Sequence, residues 1–139
     1  MPDRQAHLAQ ATHNDEFAKS LVDNSDGPHD WAVTVIFYAA LHYFEYWLLG
    51  NGIDVLGEAR RKKRSPHTIR REKARDHLPD EMAGIYRMLR QQSELARYLT
   101  TRDGRRELSL PSLPSEYFSQ NSAGRYYEDL ERLKTYFSA

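Results

Sequence analysis

Apolar residues along this chain recur mainly at helical intervals, and no segment keeps up the two-residue alternation of a strand. Residues 3 to 23 form a first predicted helix, with Leu8, Phe17 and Leu21 on a modest apolar stripe and no proline or glycine to interrupt it. The segment "DNSDGP" ends it. A second helix opens around Asp30 and runs to about Leu49, where "GNG" stops it. Trp31, Val35, Tyr38 and Tyr46 take one side of this helix, and Ile36, Ala40, Tyr43, Phe44 and Trp47 take others. A helix that is apolar nearly all round must be enclosed. It therefore belongs at the centre of the molecule or under a second subunit, and the second choice predicts a homodimer.

The next segment, "EARRKKR", carries too many like charges to pack and is expected to be a linker. Ser65 and Pro66 then suit the cap and first position of a short third helix, which must end before Pro79. A fourth helix, from about Pro79 to Leu99, has Met82, Ile85, Tyr86, Leu89, Ala96 and Leu99 at helical spacing and Asp80 and Glu81 in its first turn. "TTRDGRRELSLPSLPS" is expected to be a loop, and a last helix to cover roughly 116 to 137 through Tyr127, Leu130, Leu133 and Phe137. The predicted fold is all-α: an up-and-down bundle of four long helices plus a short one, in a single domain over residues 1 to 139.

Composition agrees with a packed domain, at 40% hydrophobic and 29% charged residues with only seven glycines and six prolines. With no cysteine, disulfide frameworks and thiolate metal sites are excluded. No cleavable leader pattern opens the chain, so the expected location is cytoplasmic. The apolar run from Trp31 to Gly50 approaches the length of a membrane span. It carries His42 and Glu45 at mid-depth, which favours a buried core helix and no membrane partner.

The formal net charge of zero hides an uneven distribution. Between Arg60 and His77 nine Lys or Arg stand against two acids, a local +7 on a remainder of −7. Phosphate binding responds to the local field, so this island points to a polyanion such as RNA or another phosphate-bearing ligand. Arg60, Arg61, Lys62, Lys63 and Arg64 are its outer, nucleic-acid-binding candidates.

Wound at 100° per residue, the third helix gathers His67, Arg70, Arg71, Ala74, His77 and Leu78 on one side and leaves Ile69, Glu72 and Asp76 opposite. Ala74 and Leu78 are the natural docking residues, so the two histidines and two arginines are expected to share an inward-facing recess. Guanidinium forks there can hold a phosphodiester while an imidazole moves the proton of a ribose 2′-hydroxyl. On the buried second helix His42 and Glu45 share a face. Either His42 is a core histidine oriented by its neighbours, or it points into the same cleft as His67. There is no HExxH or comparable close-spaced ligand set and no phosphate loop following a strand, so neither a metal nor a cofactor is expected.

The succession "FYAALHYFEYWL", "PHTIRREKARDH" and "IYRMLRQQSELARY" resembles the HEPN superfamily, over residues 31 to 98. That resemblance implies a four- or five-helix fold, homodimerisation, and in many members a metal-independent endoribonuclease of toxin, defence or RNA-processing type. An antitoxin or other protein partner goes with the toxin members. The family's ribonuclease motif is Arg, four to six residues, then His; Arg71 with His77, or Arg70 with His77, matches it. A further HEPN-like pattern, "YAALH" with a later His-x-x-Arg, is matched by His42, His67 and Arg70. The alternative is a non-catalytic helical dimer that binds a nucleotide or a protein partner.

Overall fold

The computed structural model describes residues 3–138, which form seven helices and two short strands. In chain order these are α1 (Arg4–Asp23), α2 (His29–Gly50), α3 (Val55–Lys62), α4 (Pro66–His77), α5 (Asp80–Tyr98), β1 (Thr100–Asp103), β2 (Arg106–Ser109), α6 (Pro114–Tyr117) and α7 (Gln120–Ser138). The predominantly helical expectation holds, with α1, α2, α5 and α7 the four long helices.

Most of the apolar character of α2 is used inside the chain, with Trp31 left exposed at its start. It packs against α1, α5 and α7, and Ile36, Phe44 and Leu48 are fully buried. The Phe44 ring lies 5.0 Å from that of Tyr86 on α5 and 5.6 Å from that of Phe137 on α7, which locks three helices through one aromatic cluster. α2 is long and apolar enough to cross a membrane, yet 67% of its most apolar window is buried within this structure. On the other side of α2, Asp15 of α1 accepts hydrogen bonds from Tyr43 Oη (2.7 Å) and Tyr127 Oη (2.5 Å) and lies 3.5 Å from Lys134 Nζ. A buried carboxylate survives only when it is paired and hydrogen-bonded, and these partners tie α1 to α2 and α7.

Local signals explain most boundaries. Asp3 caps α1 by accepting from Ala6 N, and Ser65 caps α4 by accepting from Thr68 N at 3.1 Å. α4 ends at His77, just before Leu78 and Pro79, as the restriction on the residue preceding proline requires.

Three expectations are corrected. The "EARRKKR" segment is not a linker: most of it is the body of α3, continuing from a cap in which Asp54 Oδ1 accepts from Gly57 N. Like charge is tolerated there because Arg60, Arg61 and Lys62 fall in the last turn, where the carbonyl end of a helix favours cations, and because Glu58 faces Lys62 (3.5 Å) and Lys73 (3.1 Å). The cation of Lys73, hydrogen-bonded to Glu58, holds that carboxyl below its usual range. Val55 and Ala59 supply the buried side.

The segment after α5 is likewise not a plain loop. β1 and β2 pair antiparallel from Thr100↔Ser109 to Asp103↔Arg106, leaving Gly104 and Arg105 as a two-residue connection. Gly104 sits at φ +65°, a conformation that costs glycine nothing, so "DGR" is the turn signal. Each strand has only four residues, too few for an alternation to register. The last helix starts later than expected, at Gln120; α6 and the buried Phe118 occupy the preceding stretch.

Candidate functional site

α4 sits in a wedge. Ile69 is fully buried on one flank and Ala74 and Leu78 are buried on the other, which corrects the placing of Ile69 on the outward side. With both flanks covered, the inward direction runs between them and falls on Arg70 and Lys73, whose side chains are only 12% and 17% exposed. Each of these cations has an acid waiting. Lys73 meets Glu58 of α3, and Arg70 Nε donates to Glu45 Oε1 at 2.6 Å. Glu45 is buried on α2, so this ion pair ties α4 to the central helix beside the apolar packing of Ile69, Ala74 and Leu78. Losing one partner of such a pair leaves a buried charge uncompensated, at a cost of about 3 to 5 kcal/mol.

The edge of the wedge opens into a recess of about 350 Å3 between α4 and α5. Four guanidiniums line it: Arg70 and Arg71 from α4, Arg90 and Arg97 from α5. Phe37 of α2, Ser65, His67, Thr68, Tyr86 and Tyr98 complete its walls, and Glu94 is its one carboxylate among the lining residues. Counting Glu45 as well, the four arginines keep an excess of two positive charges around the recess. Guanidiniums so placed favour an anion that offers several oxygens, as a phosphate does.

These arginines are held before any ligand arrives. Arg97 Nε donates to the Ser93 carbonyl (3.3 Å) and hydroxyl (3.2 Å), and its Nη1 donates to Tyr38 Oη (2.9 Å) and Tyr98 Oη (3.1 Å). Arg90 Nη1 donates to Glu94 Oε1 at 2.9 Å, and Arg71 stands 3.8 Å from the same oxygen. The other Glu94 oxygen accepts from Thr101 Oγ1 at 2.6 Å, so the first strand of the hairpin braces the carboxylate that positions Arg90. Ordering long side chains in advance lowers the entropic cost of binding.

Arg70 also fixes the state of His67. Its Nη1 lies 3.2 Å from His67 Nδ1, and a guanidinium has no acceptor, so Arg70 donates and Nδ1 accepts. The ring proton then sits on Nε2. Partial burial, followed by the nearby Arg70, Arg71 and Arg97 charges, lowers the His67 pKa below its ordinary value, with Glu94 pulling weakly the other way. The contact with a guanidinium is that of a neutral ring, an Nε2–H donor whose Nδ1 lone pair is already engaged.

The other candidate residues are elsewhere. His77 lies within about 20° of Arg70 around α4 but about 10 Å further along its axis, exposed at the last position and outside the recess lining. His42 does not share the recess with His67; its Nδ1 is 3.0 Å from His7 Nδ1 of α1, and burial, then His7, then Arg70, push its pKa down to about 4. Of the basic island, Lys62 faces Glu58 and Arg64 is paired with Glu72, while Arg60, Arg61 and Lys63 are exposed at the surface. Among the described residues no three His, Asp or Glu side chains are grouped so as to hold a metal ion.

Sequence reasoning brought His67, Arg70 and Arg71 together and missed the opposite wall. The spacing of Tyr86, Arg90, Glu94 and Arg97, at intervals of four, four and three, places them on one face of α5, and that charged line beside the apolar stripe was the available signal. No protein-family model matches this chain, and no curated protein or solved structure does so either.

Proposed function

We propose that this chain is a HEPN-like RNA-binding protein that seats a phosphodiester in the recess between α4 and α5. The observation that carries this reading is the convergence of Arg70, Arg71, Arg90 and Arg97 with His67 in one cavity large enough for a phosphate and part of a nucleotide. The phosphate oxygens take the guanidinium N–H groups and the His67 Nε2–H. The exposed Tyr98 ring at the rim offers a face on which a base can stack. The HEPN resemblance adds the bundle description of the four long helices, a homodimer, and a place in toxin, defence or RNA-processing systems.

The non-catalytic form of this reading has a specific observation in its favour. Cleavage through the 2′-hydroxyl requires a base with a free lone pair, and the His67 Nδ1 lone pair accepts from Arg70. Among the described residues His67 is also the one imidazole in the recess lining, so no second ring stands there to protonate the leaving oxygen. A metal-independent ribonuclease needs Arg70 to release His67 when substrate binds.

The deciding experiment incubates end-labelled single-stranded RNA with the wild type, His67→Ala and His77→Ala in EDTA, with binding followed in parallel. Binding by wild type without cleavage supports the binding module. Cleavage lost in His67→Ala supports the ribonuclease, and cleavage lost only in His77→Ala moves the chemistry away from the recess. No binding to wild type at all overturns the proposal.

A further inference from the structure

We propose that the ligand is a single strand of at least two nucleotides, running from the recess into an adjoining hollow around Gly84. This deepens the RNA-binding role and rests on it.

The hollow has a volume of about 400 Å3 and shares Arg71, Tyr86 and Arg90 with the recess, so the same three side chains form the wall between the two spaces. A ligand gripped by Arg71 and Arg90 is thus touched from both sides. Beyond them the lining is made of small groups, Ala74 of α4 with Ala83 and Gly84 of α5. Two further guanidiniums line the hollow: Arg75, which is paired with Asp76 at 2.9 Å, and Arg87, with Asp80 the one carboxylate among the lining residues. Small groups leave room for the face of a base, and the guanidiniums that line the same hollow donate to the phosphates that flank it. One mononucleotide fills the recess alone; only a strand occupies both spaces while keeping its phosphates on the shared arginines. Each further phosphate contact adds affinity and salt dependence.

Gly84 makes the idea testable without endangering the fold. A Cβ added there meets nothing within 4 Å, and leucine is a better helix former than glycine. Gly84→Leu therefore fills the hollow while leaving the recess lining intact. Calorimetry with adenosine 5′-monophosphate and fluorescence anisotropy with a labelled RNA hexanucleotide are to be run on the wild type, Gly84→Leu and Arg87→Ala. The expected result is a hexanucleotide that binds the wild type at least about tenfold tighter than the monophosphate, an advantage on the order of one stacked base, and that loses this advantage in both variants. Monophosphate binding stays unchanged in both. A hexanucleotide no tighter than the monophosphate, or one indifferent to both variants, overturns the two-space ligand while leaving the recess as a phosphate site. Equal loss of both ligands in both variants overturns it too, because the spaces are then not separate. Failure of the wild type to bind either ligand removes the RNA-binding role itself.

Discussion

His42 and His7 face each other with their Nδ1 atoms 3.0 Å apart, so only one proton fits between them and a second has to be expelled. In the folded chain the His42 pKa lies at about 4, against about 6.5 for a free imidazole. The unfolded chain therefore binds more protons between these values, and stability rises with pH across the window: it is fully present above about 6.5 and is lost as the pH falls toward 4. The loss is at most about 3 kcal/mol. Urea unfolding of wild type and His42→Gln at pH 7 and pH 4.5 checks this, with a smaller pH dependence expected in the variant. Equal pH dependence in the two proteins contradicts the assignment. The same residue shows a limit of sequence reasoning. The "YAALH" pattern marked His42 as special, and the α2 helix explains why it shares a face with Glu45, but its partner His7 lies 35 positions away. No local spacing reports such a contact.

Among the elements, the helices were legible and the hairpin was not. α4 and α5 carry capping, proline and periodicity signals that fix their ends to within a residue or two, so Ser65, Pro66 and Pro79 could be read directly. α3 was misread because a dense run of like charge looks solvated until its neutralising partners are known, and Lys73 reaches Glu58 from a different helix. The hairpin was misread because β1 and β2 each turn few side chains inward, with Thr101 and Leu108 opposite one another. Its consequence for the site runs through Thr101, which is buried and donates to Glu94. Thr101→Val keeps the shape and removes that donor, while Arg90 and Arg71 remain beside the carboxylate. The expected cost is about 1 kcal/mol of stability, read from the urea midpoint, accompanied by weaker RNA binding as Glu94 loses its brace. An unchanged midpoint with unchanged binding means that the hairpin does not support the recess.

On the scale of the whole molecule, two groups of cations stand out from the uneven charge seen in the sequence. Lys62, Lys73 and Arg64 are paired with acids and serve the packing of α3 and α4. Arg71 and Arg97, with Arg70 and Arg90, surround the recess. Only half of that second group lies inside the basic island, because Arg90 and Arg97 come from α5 and reach it through the fold. Central α2 holds the arrangement in place: Glu45 fixes Arg70 from one side and Tyr38 fixes Arg97 from another. The apolar surface of α2 that suggested a second subunit is largely covered within the chain by α1, α5 and α7, so that surface is not by itself the reason for a dimer. If the recess is where RNA is held, affinity must depend on these arginines in a way that salt reveals. The most direct measurement is the dissociation constant for a single-stranded RNA over a series of salt concentrations, for wild type and for Arg71→Ala/Arg97→Ala, with circular dichroism to verify that both are folded. The predicted result is weaker binding by the double variant and a log–log salt slope smaller by about 1.4, two phosphate contacts at roughly 0.7 each. Identical affinity and identical slope in two equally folded proteins would contradict it.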